Sequence, residues 1–290
     1  MLVAEKLVGV FSKYRMTPTA VDEFETVGKV KMIEKFDTFV KNQQQIQFVM
    51  LGFPFKSTNN RDKVIGTIPD EGERLSIETF DSFVKEIESI YSPGAKINIA
   101  SDGFVFNDLL EVKDSTVSLY KEMCLEMAKY NCFQILDLND FYSTNLNQSR
   151  VKLIEQFGIT EETLQYEVMY NPDVNFLYKG MIRFMTEELA MKSWVSGNQH
   201  HKAAKKLAKE MIFMNEAYSN LVKQEFSDNI RLSMHPSVNN GAKYSFQLIP
   251  NANHSAWHSV VVKDNDLITT MHKKDAIAQG FQLINNQYYA

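Results

Sequence analysis

Cysteine is scarce in this chain, with only Cys124 and Cys132 among 290 residues. Their spacing is not the CxxC of a zinc ribbon or a redox dithiol, so we expect buried free thiols. No apolar run approaches the roughly 18 residues of a membrane-spanning helix. The opening stretch "MLVAEKLVGVFSKYRM" carries too many charges for a secretory signal. These absences predict a globular, cytoplasmic protein.

The chain also lacks an excess of basic residues. Its net charge is −5 and its isoelectric point about 5.8, with the cations scattered along the sequence, which argues against nucleic-acid binding. The glycine patterns of nucleotide sites, GxxxxGK[ST] and GxGxxG, follow none of the predicted strands. A nucleotide phosphate held by glycine amides is therefore poorly supported, whereas a small anion gripped by side chains stays open.

What the chain does contain is an alternation of apolar runs and helical patterns. The apolar runs cover 45–53, 95–101 and 132–138, and the helical patterns between them cover 76–91 and 115–130. This βαβαβ order predicts a Rossmann-like α/β fold with a mainly parallel sheet. Ligands of such sheets collect beyond the carboxyl ends of the strands.

The second half of the chain changes character. A helical insertion is predicted over 151–226, where methionines and aromatics at helical spacing indicate core packing. A strand-rich part with turn residues follows and predicts antiparallel pairing. We expect one α/β domain over 1–290, made of an N-terminal helical segment (1–44), the βαβαβ half (45–150), the helical region (151–226) and the strand-rich part (227–290).

The first candidate site is the loop after the first strand, "KSTNNRDK". Lys56 and Lys63 can grip a phosphate or carboxylate, with Ser57 and Asn59 as donors. The ordinary alternative is a solvated loop. The acids of "PDEGE" at 69–73 are interpreted as the start of a helix, where they complement the helix dipole.

The second candidate site lies in 231–262. Arg231, Ser233 and His235 alternate along a predicted strand and so share one face, which suits anion binding with proton transfer but also an ordinary solvent-facing surface. His254 and His258 have the spacing of a zinc helix, yet "HSAWH" lacks the glutamate of HExxH and leads into a strand. We therefore predict no metal.

Six segments together resemble the isocyanide (isonitrile) synthase family, the group associated with dityrosine and pyoverdine-cluster biosynthesis. They occur in the family's order and are "LGFPFKSTNNRDKVIGTIPDEGE", "YSPGAKINIASDGFVFNDLL", "YKGMIRFM", "RLSMHP", "KYSFQLIP" and "WHSVVV". The resemblance covers roughly 45–263, and the combination is more specific than any single segment. No family motif is recognised before residue 45.

The resemblance implies that the α-amine of tyrosine or tryptophan becomes an isocyanide, with the carbon taken from C2 of ribulose 5-phosphate. It implies no metal, nucleotide or redox cofactor, and it suggests a downstream oxygenase as a partner. The residues expected to meet these demands fall into two groups. Catalytic roles are assigned to His235, His258, Lys56, Asp102 and Lys243, and substrate or phosphate binding to Lys56, Ser57, Asn59, Lys63, Arg183, Arg231, Ser233 and Trp257.

Several roles stay open at this point. Asp102 either holds the substrate ammonium or orients a histidine, although Asp-Gly after a strand is also ordinary turn chemistry. Lys243 or Lys56 is a candidate for a transient Schiff base. Two rival functions remain: a Rossmann-type transferase with a nucleotide or sulfonium cofactor, which the missing glycine patterns disfavour, and a non-catalytic binding protein.

Overall fold

A computed structural model describes residues 3–18, 21–57, 62–128, 133–189, 196–252 and 254–290. The α-helices of this part are α1 (Val3–Tyr14), α2 (Lys29–Lys41), α3 (Glu71–Ile90), α4 (Gly103–Phe106), α5 (Asp114–Met127), α6 (Leu138–Phe141), α7 (Leu146–Phe157), α8 (Glu161–Tyr170), α9 (Pro172–Glu188), α10 (Gly197–Glu225) and α11 (Lys273–Ala278). A π-helical turn covers Phe24–Gly28 and a 3₁₀ turn covers Ala256–His258.

The larger sheet has the strand order β3-β2-β1-β4-β5, and all its pairs are parallel. Its strands are β1 (Ile46–Leu51), β2 (Ala95–Ala100), β3 (Phe133–Leu136), β4 (Ile230–Ser233) and β5 (Tyr244–Ser245). The predicted βαβαβ half and the parallel sheet are confirmed. The prediction of antiparallel pairing was wrong for β4 and β5, which extend the parallel sheet on the free side of β1.

A smaller sheet has the order β7-β6-β9-β8. It consists of β6 (Val260–Asp264), β7 (Leu267–Met271), β8 (Gln282–Ile284) and β9 (Gln287–Tyr289). Its two hairpins, β6–β7 and β8–β9, pair antiparallel as predicted, whereas β6 and β9 run parallel. The strand-rich end is therefore divided between two sheets, because β4 and β5 are buried against the central strands.

The helices α3 and α10 have clear start signals in the sequence. Asp70 accepts a hydrogen bond from the Gly72 amide, and Glu73 closes the reciprocal half of a capping box. The interpretation of "PDEGE" as a helix start is thus confirmed. Ser196 and Gln199 form the same arrangement at the start of α10.

One hydrophobic core runs from Ala4 on α1 to Val261 on β6, and a small second cluster around Val260 and Tyr288 supports the smaller sheet. Cys124 is buried within the main core and is a free thiol, as expected. Cys132 lies outside the described residues. Within the described part of the chain, none of the helices is long and apolar enough to cross a membrane.

Candidate active site

A cavity of about 580 Å³ opens beyond the carboxyl ends of β1, β2 and β4 and is roofed by α9 and α10. This volume lies within the roughly 300–1,000 Å³ of small-molecule sites. Eight of the residues predicted from the sequence line it: Ser57, Asp102, Arg231, Ser233, His235, Lys243, Trp257 and His258. The fold therefore brings the ends of β1, β2 and β4 together around one space.

Asp102 lies two residues beyond the end of β2, and its neighbours Ser101 and Gly103 are closely packed. The Ser101 hydroxyl donates to the Phe53 carbonyl at 2.9 Å, and the Tyr218 hydroxyl of α10 donates to the Ser101 carbonyl at 2.8 Å. A Cβ on Gly103 would lie 2.5 Å from the Pro54 carbonyl oxygen, so the glycine after Asp102 is required by close packing. These contacts place the acid in the cavity wall.

The Asp102 carboxylate forms no ion pair with any of the described residues. Its Oδ1 is buried, without a hydrogen-bond partner among the described residues. Burial raises the pKa of Asp102 to about 6. The group can therefore receive a cation or exchange a proton near neutral pH.

Arg231 and Lys243 stand side by side on β4 and just before β5. Leu232 pairs in parallel register with Tyr244, so the preceding positions are Arg231 and Lys243. The Arg231 guanidinium donates to the Ser219 hydroxyl of α10 at 2.9 Å. Within the described part of the chain, neither cation forms an ion pair with a carboxylate. Burial lowers the pKa of Arg231, and burial together with Arg231 lowers the pKa of Lys243.

His235 is two residues beyond the end of β4. Its backbone N–H donates to the Ser233 hydroxyl at 3.2 Å, which makes a short turn and keeps the imidazole at the cavity. Although the residue is partly exposed to solvent, desolvation of the imidazole and the nearby Lys243 lower its pKa. Arg231, Lys243 and His235 therefore form a group of basic side chains, hereafter the basic cluster.

Trp257 and His258 lie on the 3₁₀ turn before β6. Trp257 packs against Phe53 with ring centroids 5.0 Å apart, and a Cβ on Gly52 would lie 2.8 Å from its indole. Phe184 of α9 meets the His258 ring edge to face at 5.5 Å. Burial, followed by the charge of Lys63, lowers the pKa of His258 to about 3. His258 is thus a neutral imidazole at the cavity wall.

Lys56 does not have the environment expected of a phosphate-binding residue. Its side chain is fully buried outside the cavity lining, with Nζ 2.5 Å from Asp70 and 2.8 Å from Glu73. The Tyr120 hydroxyl donates to the same Glu73 at 2.8 Å. Burial lowers the pKa of Lys56 but the two carboxylates outweigh it, so the pKa lies above its usual value. The acids of "PDEGE" neutralise this cation, which is a long-range pairing that spacing alone does not reveal.

Of the remaining predicted binding residues, Lys63 and Arg183 also lie outside the cavity lining. Lys63 is buried and pairs with Glu187 at 2.8 Å and Glu188 at 3.1 Å, so its charge is already matched. Arg183 is exposed on α9. Asn59 belongs to 58–61, outside the described residues, together with Thr58, Asn60 and Arg61.

Helices α9 and α10 contribute residues that the sequence analysis did not single out. Leu177, Met181 and Phe184 of α9 form an apolar wall, and Asn215 and Ser219 of α10 face the same space. A pattern in the sequence could have identified the α10 residues. Residues 211, 212, 215 and 219 share one face of the helix, and two of them are polar. Polar residues within an otherwise buried stripe indicate a cavity.

The charges of the cavity are separated. Asp102 follows β2 and the basic cluster follows β4, with β1 between them, so the two ends are about 10 Å apart at the backbone. Apolar and aromatic side chains line the space between and above them. Among the described residues no group of three or more His, Cys, Asp or Glu side chains is arranged to hold a metal ion. The arrangement suits a ligand or ligand pair with an amine, an anionic group and an apolar body.

Comparison with known proteins identifies the family of this chain. Residues 36–284 match the model of the family described as pyoverdine/dityrosine biosynthesis protein. The chain is 31% identical to the L-tryptophan isonitrile synthase AmbI2 of Fischerella ambigua, over 87% of this chain and 78% of that protein. It is 27% identical to the L-tyrosine isonitrile synthase of Pseudomonas aeruginosa, over 94% of this chain and 86% of the relative.

A solved structure shows the same architecture. The crystal structure of the PvcA protein from Pseudomonas aeruginosa superimposes with a TM-score of 0.90 and 25% identity, covering 99% of both chains. The match extends through the N-terminal helices, where no family motif was recognised in the sequence. The chain therefore belongs to the pyoverdine/dityrosine biosynthesis protein family and is an enzyme of the isonitrile synthase kind.

Proposed function

We propose that the enzyme converts the α-amine of an aromatic amino acid, L-tyrosine or L-tryptophan, into an isocyanide, and that it takes the carbon from C2 of ribulose 5-phosphate. The observation that carries this proposal is a separation of charge in the cavity: among the described residues, no carboxylate pairs with Arg231 or Lys243 at one end, and no cation pairs with Asp102 at the other. The names of the relatives, which act on L-tryptophan and L-tyrosine, support the amino acid substrate.

The basic cluster is suited to a sugar phosphate. A phosphate dianion is held best by an arginine fork with hydroxyl donors, which Arg231, Ser233 and Ser219 supply. Since no carboxylate among the described residues pairs with Arg231, none has to be displaced. An arriving dianion also favours the protonated form of His235, so binding and protonation reinforce each other.

Asp102 is suited to the amino group. The condensation requires a neutral amine, and a carboxylate with a pKa of about 6 both attracts the ammonium and accepts its proton near neutral pH. Phe106, Phe184 and Met211, which line the cavity, then surround the aromatic side chain. The amine is in this way presented toward the ketone of the sugar held by the basic cluster.

His258 is suited to the later proton transfers. A neutral imidazole with no hydrogen-bonded partner among the described residues can take a proton from a carbon or oxygen of the condensed intermediate. Formation of the isocyanide requires such removals before the sugar chain fragments. The co-substrate supplies the carbon, and the proposal includes no further cofactor.

The test is incubation of the purified enzyme with L-tyrosine, L-tryptophan or L-phenylalanine and ribulose 5-phosphate, followed by mass spectrometry of the products. We expect an isocyanide only when an aromatic amino acid and the sugar phosphate are both present. Arg231→Met should raise the KM for the sugar phosphate more than the KM for the amino acid. Product formation without ribulose 5-phosphate would remove that co-substrate from the proposal.

A further inference from the structure

Lys56, Lys63 and Lys243, the three lysines selected from the sequence, differ in their charge partners. Lys56 contacts two carboxylates, and so does Lys63. Lys243 contacts none among the described residues, and it is the one lysine among the described residues that line the cavity. An amine that lacks a carboxylate partner and opens into a substrate cavity is available for chemistry.

The position of Lys243 next to Arg231 is set by the register of β4 and β5. Neighbouring positions on paired strands are about 5 Å apart, and their side chains point to the same face. Because a guanidinium stays charged at all physiological pH values, the Lys243 amine faces a permanent cation. Burial and this cation lower the pKa of Lys243, which increases the fraction of neutral amine.

We propose that Lys243 is a catalytic residue that forms a Schiff base with the ketone of the sugar phosphate before the substrate amine attacks. The inference rests on the proposed function and deepens it. Arg231 holds the phosphate at one end of the sugar, while the adjacent amine reaches the carbonyl carbon. The same contacts exclude Lys56 and Lys63 from this role, since each ammonium is held by two carboxylates.

The steps balance without an oxidant or reductant. The neutral Nζ of Lys243 adds to the C2 carbonyl, and the carbonyl oxygen takes a proton to give a carbinolamine. Loss of one water then gives a protonated imine, with His235 beside Lys243 as the proton donor. The amine of the amino acid adds to this carbon and expels the Lys243 amine, which leaves the amino acid joined to C2 as an imine.

This route has a chemical advantage over direct attack on the ketone. A protonated imine is more electrophilic than a ketone, and the lysine leaves as a neutral amine when the substrate replaces it. Direct condensation would instead require the amino acid to expel water itself.

The experiment measures adduct and product in the same preparation. The enzyme is incubated with ribulose 5-phosphate and sodium cyanoborohydride, and its intact mass and proteolytic peptides are analysed. A parallel sample with amino acid and without reductant is assayed for isocyanide. We expect one reduced sugar adduct per chain, on Lys243, and its suppression by excess inorganic phosphate.

Two variants sharpen the test. Lys243→Arg keeps the positive charge but cannot form the imine, so both the adduct and turnover should disappear while phosphate still protects the protein against thermal unfolding. Lys179→Arg, an exposed lysine on α9 outside the cavity lining, should keep both. Turnover in the wild type without any adduct on Lys243, or wild-type turnover in Lys243→Arg, would overturn the Schiff base alone. Absence of isocyanide in the folded wild type with every aromatic amino acid would overturn the proposed function as well.

Discussion

Lys56 is fully buried and Asp102 is half-buried, both lie beyond strand ends, and their charge partners distinguish their roles. Lys56 pairs with Asp70 and Glu73, and the Tyr120 hydroxyl donates a hydrogen bond to Glu73. The charge of Lys56 is therefore neutralised within the protein. Asp102 has a buried oxygen without a partner in the described structure, and this oxygen belongs to a cavity wall. Removal of one member of a buried ion pair destabilises the fold, whereas an unmatched charge in a cavity is available to a ligand.

Lys56→Met should lower the free energy of unfolding by about 3–5 kcal/mol, because it leaves two carboxylates buried together. The loss should be greater at pH 8 than at pH 6. Without Lys56, burying Asp70 and Glu73 together costs less when one of the two carboxylates is protonated. Urea unfolding measures both values. Lys41→Met, at a lysine whose side chain is 77% exposed, is the control and should change stability by less than about 0.5 kcal/mol. An equal, small effect in both variants would contradict a structural role for Lys56.

Asp102→Asn should abolish turnover and yet raise stability. The folded-state pKa of about 6 lies above the ordinary 3.8, so burial of the charged form costs stability at every pH above about 6. Removing the charge should therefore stabilise the protein at pH 8 by about 1–2 kcal/mol, after allowance for solvent in the cavity. Thermal unfolding and the product assay report the two effects. An inactive but destabilised variant would indicate that Asp102 mainly supports the fold.

At the scale of elements, ion pairs connect α9, which covers the cavity, to the loop after β1. Lys63 pairs with Glu187 and the fully buried Glu188 at the end of α9, and its ammonium lies 5.4 Å from the Phe184 ring centroid. Phe184 in turn contacts His258. This connection holds Phe184 of α9 against the His258 imidazole. Lys63 can therefore influence the cavity although it lies outside the cavity lining.

Lys63→Met should raise the pKa of His258, because removal of a nearby cation favours the protonated imidazole. The acid limb of the kcat/KM profile should then move to higher pH. The imidazole titration is measured by NMR, and the pH profile by the product assay. Lys63→Arg retains the charge and should leave both nearly unchanged. A His258 titration identical in Lys63→Met and the wild type would show that the two residues are not coupled.

The elements with strong local patterns were predictable from the sequence. The apolar runs at 45–53 and 95–101 became β1 and β2, and the amphipathic run after Ser76 became α3. The pairing of β4 and β5 was not predictable in this way, because turn residues indicate where a strand ends but not which sheet it joins. Burial against β1 decided that question.

At the scale of the whole molecule, the site is an assembly of distant segments. Asp102, Arg231 and Ser233 lie at strand ends and line the cavity, and sequence reasoning selected them because parallel strands share one ligand-binding edge. Sequence reasoning did not reveal that Lys56 and Lys63 pair with carboxylates, since these partners come from α3 and α9. Which cations stay unpaired depends on such long-range contacts and follows only from the fold.

The separation of charge across the cavity is likewise a property of the whole fold. The order β2-β1-β4 places an acid and a basic cluster on either side of the central strand. A chain with the same motifs in another strand order would bring these charges together, and they would neutralise each other. The topology thus keeps Asp102 and the basic cluster apart within one cavity.

The origin of the isocyanide carbon tests the central claim most directly. The enzyme is supplied with ¹⁵N-labelled L-tyrosine or L-tryptophan and with ribulose 5-phosphate carrying ¹³C at C2, or at C1 as the control. We predict a product whose ¹³C is bonded directly to ¹⁵N, seen as a one-bond coupling by NMR, with the C2 label and not with the C1 label. An isocyanide that forms without label from C2, or no isocyanide from the folded enzyme with any aromatic amino acid, would contradict the account.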